Sequence, residues 1–279
     1  MNNFNNRVAV VTGAASGIGR ALALQLAQAG CEVAISDIDE AGLQETAEML
    51  QQAGIIPHVQ RLDVADREAV HAYADTVFDH YGRVHLVFNN AGVALGATVE
   101  HMKYEDLDWV MDINFGGVVS GTKAFLPYLK QADQGHIINI SSLFGLVSMP
   151  TQSAYNAAKF AVRGFTEALR QELELSNSTV SCTCVHPGGI KTNIARNARM
   201  DDVSAITGST PEQATADFEK LFRVTAEQAA KTILNGVKHN KRRVLIGNDA
   251  KAIDALQRAL PAFYQRIVVA GQKGLRKYS

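Results

Sequence analysis

Cysteine is scarce in this chain: Cys31, Cys182 and Cys184 are the only three, too few and too irregularly spaced for a disulfide framework or a four-ligand zinc site. No metal is expected on that count, and the thiols suit a reducing compartment. Long apolar runs are missing as well. Nothing approaches the about 18 consecutive apolar residues that a membrane-spanning helix needs. The opening stretch MNNFNNRVAVVTG has no charged leader ahead of an apolar core, so the expectation is a cytoplasmic protein without a secretory signal. Net charge is nearly absent, at -1, which gives no reason to expect a nucleic-acid partner.

What is present is the composition of a globular protein, 47% hydrophobic and 20% charged over 279 residues, enough for one α/β domain of ordinary size or two small ones. The small net charge hides an asymmetry. From Lys238 to Ser279 there are ten Lys and Arg against two Asp and Glu, a balance of +8, so the remainder carries -9.

Arg7 to Val11 is a short apolar, β-branched run that reads as a buried strand. It leads into TGAASGIG, Thr12 to Gly19, and then into a helix pattern that stops at Gly30. A glycine turn between a strand and a helix is the context of a dinucleotide fingerprint. Gly13 permits the tight turn, Gly17 lets the backbone approach a pyrophosphate, and Gly19 lets the helix pack on the strand. The helix N-terminus then offers N–H groups to phosphate. The next strand, Cys31 to Asp37, ends in an acid eighteen residues beyond Gly19. A carboxylate there bonds ribose hydroxyls and repels a 2'-phosphate, which predicts NAD(H) over NADP(H). Ser16 and Ile38, nearby positions where a cation could grip such a phosphate, are uncharged.

Helix and strand patterns then alternate: a helix over about 39–53, a strand HVQRLDV reaching Asp63 and Val64, a helix over about 66–81, and the strand VHLVFNNAG with Asn89, Asn90, Ala91 and Gly92 at its end. That alternation means an α/β fold with a doubly wound parallel sheet, whose ligand crevice lies at the C-terminal strand ends. Asn89 and Asn90 fit the crevice, and fit turn formation equally. A helical pattern from Tyr104 to Lys130 contains Asn114, Gly116, Gly117 and Gly121, and Asn114 could open the backbone ladder there. GHIINISS gives a fifth strand with Ser141 and Ser142 at its end; a long amphipathic helix runs from Tyr155 to about 175; STVSCTCVHPGG gives a sixth strand. Cys182 and Cys184 share one face of it and read as core; His186 reads as structural. Residues 190–223 are weakly patterned, as a lid is. Thr225 caps a helix to Val237, and RRVLIG is a seventh strand.

Tyr155 and Lys159 stand one helical turn apart on one face. A cation beside a phenol lowers its pKa and fits it for proton transfer. Alone the pair proves little, because a chain with seven Tyr and twelve Lys supplies such a spacing by chance about one time in three.

In TGAASGIG, Asp63, NNAG, Asn114, a serine thirteen residues before the tyrosine, YNAAK and PGGIKT, in that order, the chain from Arg7 to Gly247 resembles the short-chain dehydrogenases/reductases. The resemblance implies a single-domain Rossmann fold over residues 1–250, strand order 3-2-1-4-5-6-7, and a homodimer or homotetramer built through the two long helices. It implies Tyr155 as general acid/base and Lys159 as the group that lowers its pKa and binds the nicotinamide ribose. Ser142 would bind the substrate oxygen, and Asn114 would hold a water that links Lys159 to solvent. Around the cofactor, Gly13, Ser16, Gly17, Ile18 and Gly19 would cradle the pyrophosphate and Asp37 the ribose. Asp63 and Val64 would meet the adenine, Asn90, Ala91 and Gly92 would flank the adenosine, and Pro187, Gly188, Ile190 and Thr192 would border the nicotinamide.

The expected reaction interconverts a secondary alcohol and a ketone. Ala94, Leu95, Leu143, Phe144 and Met149 make the expected pocket apolar, which favours a lipophilic substrate, although Lys191, Arg196 and Arg199 in the lid could reach an anionic group. An NADPH-linked ketoreductase of the 3-oxoacyl type and a non-catalytic dinucleotide-binding regulator are the alternatives. Asp37 disfavours the first, and the four catalytic-type residues disfavour the second. Residues 251–279 form a basic amphipathic extension, with Ile253, Leu256, Leu260, Phe263, Ile267 and Val268 near helical spacing. It either docks on the domain or a neighbouring subunit, or lies on an anionic membrane surface.

Overall fold

Seven short runs rich in apolar and β-branched residues become parallel strands. The computed structural model describes residues 3–201, 203–208, 210, 213, 216 and 222–275. Its strands are β1 (Val8–Thr12), β2 (Glu32–Asp37), β3 (His58–Arg61), β4 (Leu86–Asn89), β5 (Gly135–Ile140), β6 (Val180–Pro187) and β7 (Arg243–Ile246). They form one sheet in the order 3-2-1-4-5-6-7, each pair parallel, as the resemblance implied. Alternate side chains enter opposite cores. Val10, Val87 and Ile137 meet α3 (Arg67–Tyr81), α5 (Gly117–Leu129) and α6 (Ser153–Leu175). Val11, Phe88 and Ile138 meet α1 (Gly17–Gln28), α2 (Glu40–Gln52) and α7 (Ala226–Lys238). Helix starts are fixed locally: Asp39 and Asp66 accept the N–H groups of Gly42 and Ala69 at 3.2 and 3.0 Å, and Thr225 and Gln228 form a reciprocal capping box.

The chain runs outward from β1 to β3 and then returns to lay β4 on the other side of β1. The order therefore reverses between β1 and β4, and a ligand crevice is expected over the C-terminal ends of these two strands, with the Gly13 and Asn90 turns as its floor.

Two stretches differ from the sequence expectation. The single helix expected over 104–130 is α4 (Tyr104–Met111) and α5, joined by a π-helical turn at Asp112–Gly116. Asn114 turns its amide to Val93, whose N–H it accepts at 2.8 Å and whose carbonyl it donates to at 2.9 Å. Gly117 then passes so close to the turn after β3 that a Cβ there would lie 2.8 Å from Val64 Cγ2. In the expected lid, Ile190–Lys191 pairs with Val224–Thr225, and Arg199–Met200 pairs with Leu95–Gly96; residues 202, 209, 211, 212, 214, 215 and 217–221 of that segment lie outside the described residues.

Beyond β7 the chain forms α8 (Asn248–Ala259) and α9 (Tyr264–Leu275). Ala250 and Tyr264 are buried against Leu143, Leu146 and Val147, and the Tyr264 hydroxyl accepts the Ser148 N–H at 3.1 Å. Phe263, Ile267 and Val269 face outward.

Candidate active site

The glycine turn after β1 has the shape its sequence demands. Gly13 and Gly17 both adopt left-handed backbone, φ +67° and +52°. A Cβ on Gly13 would lie 2.8 Å from the Cα of Ala91, and one on Gly19 would lie 2.0 Å from the carbonyl oxygen of Gly13. Thr12 bolts the two loops together: its hydroxyl accepts the N–H groups of Asn90 and Ala91 at 3.0 and 3.1 Å. Asn90 in return donates its amide to the carbonyls of Thr12 and Gly13. The Asn90 side chain is thus spent on the turn, and only the backbone of the NNAG segment is left for a ligand. Ser16 is the N-cap of α1 and makes no side-chain cap bond, so that helix end can take an anion. Across it stands Thr192, whose Cγ2 would be 3.0 Å from a Cβ on Gly17. Ile18 is half-buried against the core.

Asp37 ends β2 with one carboxylate oxygen accepting the Ala15 N–H at 2.9 Å and the other accepting that of Asp39 at 3.0 Å. The carboxylate is held at the mouth of the turn, and exposed Ile38 follows it. Arg20, on the first turn of α1, offers no cation here. Its guanidinium bonds the carbonyls of Ala15 and Gly42 and the Thr46 hydroxyl, and pairs with Glu45. Asp63 is exposed and accepts the Ala65 N–H at 2.9 Å, with Val64 buried behind it. Pro187 ends β6, and the Gly189 N–H donates to Asp249 at 2.7 Å. A Cβ on Gly188 would collide with that carboxylate. Ile190 points into the core, which leaves its backbone, with the Thr192 side chain, on the crevice side.

Tyr155, Lys159, Ser142 and Asn114 come together past the end of β5. The Ser142 hydroxyl accepts the Phe144 N–H at 3.1 Å and stands near enough to the Tyr155 phenol to favour its ionised form. Ser141 is turned the other way, donating its hydroxyl to the main-chain oxygen of Lys159 at 2.8 Å. Lys159 Nζ is buried, donates to the Ile140 carbonyl at 3.0 Å and stands 5.5 Å from the centre of the Tyr155 ring. Gly92 fits between neighbours: a Cβ there would be 3.0 Å from Asn114 Oδ1 and 3.5 Å from Lys159 Nζ. With its amide committed to Val93, Asn114 can serve a water only through its main-chain oxygen, at a π turn where the regular ladder is interrupted.

The expected lowering of the Tyr155 pKa is not what this geometry gives. Burial pushes the half-buried phenol up from its ordinary value, and the Ser142 contact pulls it back only in part. Burial also pulls the Lys159 ammonium down to about 8. The ammonium is aimed at a carbonyl rather than at the phenol oxygen, so the two residues do not form a tight charge pair.

The walls around these groups are apolar. Phe144 meets the Tyr155 ring edge-on at 6.1 Å between centroids, and Leu143 packs with Leu146, Val147 and Tyr264. Leu95 belongs to a cluster with Val110 and Ala154. Of the lid cations, Arg199 stacks 3.8 Å from the centre of the Trp109 ring and pairs with Asp106 at 2.7 Å; Lys191 is exposed. Sequence reasoning missed Thr12, Asp249 and Tyr264. Thr12 had a signal, a hydroxyl at the last position of a buried strand. Asp249 and Tyr264 act across the fold and had none. Among the described residues no group of three His, Cys, Asp or Glu side chains is placed to hold a metal.

Residues 7–203 match the sequence model of the family described as short chain dehydrogenase. The chain is 52% identical over 273 residues to SadH of Mycobacterium tuberculosis, to which an oxidoreductase activity is ascribed, with 97% of each chain covered. It is 33% identical over 281 residues to dehydrogenase/reductase SDR family member 7B of Xenopus tropicalis, covering 98% of this chain and 88% of that one. Among solved structures, a short chain dehydrogenase/reductase from Burkholderia phymatum in complex with NAD superposes with a TM-score of 0.87 at 30% identity, over 95% of this chain and 97% of that one.

Proposed function

The chain belongs to the short-chain dehydrogenase/reductase family, and on that premise we propose that it interconverts a lipophilic secondary alcohol and its ketone with NAD(H), Tyr155 acting as general acid/base. It is an oxidoreductase. The observation that carries the finer reading is the convergence of the Ser142 and Tyr155 hydroxyls beside the crevice that the glycine turn opens. The cofactor assignment is supported by the fit of the residues present: two left-handed glycines, an uncapped helix end, and Asp37 held where a ribose hydroxyl would bond and a 2'-phosphate would be repelled. When bound, the nicotinamide supplies the hydride acceptor or donor.

The chain's own residues handle the oxygen and the proton. In oxidation Tyr155 removes the carbinol proton, and Ser142 donates to the oxygen as negative charge builds on it. Lys159 holds positive charge behind the phenol, and a water on the main-chain oxygen of Asn114 would link Lys159 to solvent, to which the proton finally passes. In reduction Tyr155 returns the proton to the same oxygen.

The apolar cluster beside the site, Leu143, Leu146, Val147 and Tyr264 with Phe144 packed against it, supports a lipophilic substrate. Arg199 supports it further, because its engagement with Trp109 and Asp106 withdraws one cation from the pocket. A homodimer or homotetramer is supported by exposed Tyr104 and Phe160 on α4 and α6. Three buried free thiols support a cytoplasmic setting. The domain division we propose is a catalytic domain over 1–250 and an extension over 251–279, docked on the domain through Tyr264. Its outward face, Phe263, Ile267 and Val269 beside Arg266 and Lys273, supports peripheral contact with an anionic bilayer. Full-length protein should co-sediment with anionic liposomes and lose that binding as Phe263→Ser/Ile267→Ser; equal sedimentation of both removes the membrane contact.

A panel of secondary alcohols and ketones of rising chain length and ring size, run with both cofactors and followed by nicotinamide absorbance, tests the reading. Activity should rise with apolar size, and kcat/KM should favour NAD+ over NADP+ by about tenfold or more. A tenfold preference for the phosphorylated cofactor overturns the assignment from Asp37.

A further inference from the structure

His186 stands on β6 just before the Pro187 turn, fully buried. Its Nδ1 lies 3.0 Å from the main-chain oxygen of Ser142. A carbonyl oxygen only accepts, so Nδ1 carries the proton and Nε2 presents a bare lone pair. Among the described residues nothing donates to that Nε2. Burial pulls the imidazole down to about 4, so this tautomer persists at neutral pH. A buried ring with an unsatisfied acceptor is a poor core filler, since an apolar side chain of the same bulk would leave nothing unpaired. Its value lies in the other nitrogen.

That nitrogen holds the peptide whose side chain faces Tyr155. Ser142 is gripped from several directions where β5 ends. The Ser141 N–H donates to the Val185 carbonyl at 2.8 Å, and the Gly145 N–H donates to the Ser142 carbonyl at 2.9 Å. The Ser141 hydroxyl is tied to α6 through Lys159. These contacts fix the strand end and the turn after it. The His186 bond joins the Ser142 carbonyl itself to β6, so the Ser142 peptide plane is set from the sheet as well as from its own turn.

We propose that His186 is a positioning residue for the reaction, its Nδ1–H fixing the Ser142 peptide and thereby aiming the Ser142 hydroxyl at the substrate oxygen. This rests on the reading of Ser142 as a donor to that oxygen. The residue touches no reacting atom, and its effect runs through Ser142.

The test is a double-mutant cycle with Ser142→Ala, read as kcat and as KM for NAD+. His186→Leu keeps the bulk and removes the donor; His186→Asn places an amide N–H where Nδ1 was; His186→Gln places it where Nε2 was. His186→Leu should lower kcat about tenfold with KM for NAD+ changed by less than about twofold. His186→Asn should regain most of that loss and His186→Gln should not. In the Ser142→Ala background the same His186→Leu change should cost nothing further. Multiplying losses, or an Asn variant no better than the Gln variant, overturns the proposal while leaving the Ser142 reading intact. Unchanged turnover in Ser142→Ala alone removes the Ser142 reading and this proposal with it. If the Leu variant does not fold, the Asn and Gln pair in the two Ser142 backgrounds makes the same distinction.

Discussion

Lys159 is the residue on which the electrostatics of the site turn. Burying its ammonium is unfavourable, which is why its pKa falls from 10.5 to about 8. A folded-state pKa below the unfolded one means that the unfolded chain binds more protons between about pH 8 and 10.5, so stability rises with pH across that window. Replacing Lys159 by Met in the cofactor-free protein should flatten that rise. The gap in unfolding free energy between variant and wild type should shift by on the order of 2–3 kcal/mol from pH 7 to 10; a pH-independent gap contradicts the buried-charge account. Tyr155 supplies a second pH effect. Its phenol is pushed above the ordinary value by burial and pulled back in part by Ser142, so the basic form needed to oxidise an alcohol grows on the alkaline side. We expect kcat/KM for oxidation, which reports the free enzyme, to climb from pH 7 without reaching a plateau by pH 9. A profile already flat at pH 7 would show that the phenol is acidic before ligands bind.

At the scale of elements, the proposed catalytic groups come from a strand end (Ser142), a helix (Tyr155 and Lys159 on α6) and the π turn (Asn114), and are tied by contacts distant in sequence. Asp249, at the start of α8, accepts the Gly189 N–H and so links the C-terminal helices to the turn after β6, which we propose borders the nicotinamide. Asp249→Ala should raise KM for NAD+ about five- to tenfold with a smaller fall in kcat, measured by initial rates; an unchanged KM removes the link. Gly121 shows how tightly α5 lies on the sheet, because a Cβ there would come 2.2 Å from Asn89 Oδ1. Asn89 in turn donates to Asn139 at 2.8 Å in a buried polar network behind the site. Gly121→Ala should therefore cost about 1–3 kcal/mol of stability, read by denaturant unfolding. The strands and the glycine turn were legible in the sequence because apolar runs, glycines and a terminal acid each have a local cause. The π turn was only half legible. Asn114 and its neighbouring glycines marked a disturbance, but its form depends on Val93, twenty-one residues earlier. The pairing of Leu95–Gly96 with Arg199–Met200 left no pattern at all, since two-residue strands have no periodicity and the Arg199 side chain engages Trp109 and Asp106, some ninety residues earlier. The relation of Lys159 to Tyr155 was half legible for a similar reason: spacing places two side chains on one face, and only the fold shows that the ammonium donates to the Ile140 carbonyl.

For the molecule as a whole, buried imidazoles set the acid limit. His136 and His186 are pulled down to about 3 and about 4 from 6.5 by burial. A depressed folded pKa gives stability that is present above pH 6.5 and is lost as pH falls toward those values. The cofactor-free protein should lose on the order of several kcal/mol between pH 6.5 and 4, and His136→Asn should reduce that slope in thermal unfolding followed by circular dichroism. An equal slope in wild type and variant would place the acid sensitivity elsewhere. The same molecule joins a dinucleotide-type glycine turn, the Ser142 and Tyr155 hydroxyls and an apolar cluster that includes Tyr264, and the role proposed for Tyr155 is to move the proton in an NAD(H)-linked oxidation. The direct measurement is NAD+ reduction with the best alcohol of the panel by wild type and Tyr155→Phe, alongside NAD+ affinity by calorimetry. The account predicts a loss of about 10²-fold or more in turnover with NAD+ binding retained, and near-normal turnover in Tyr155→Phe would contradict it.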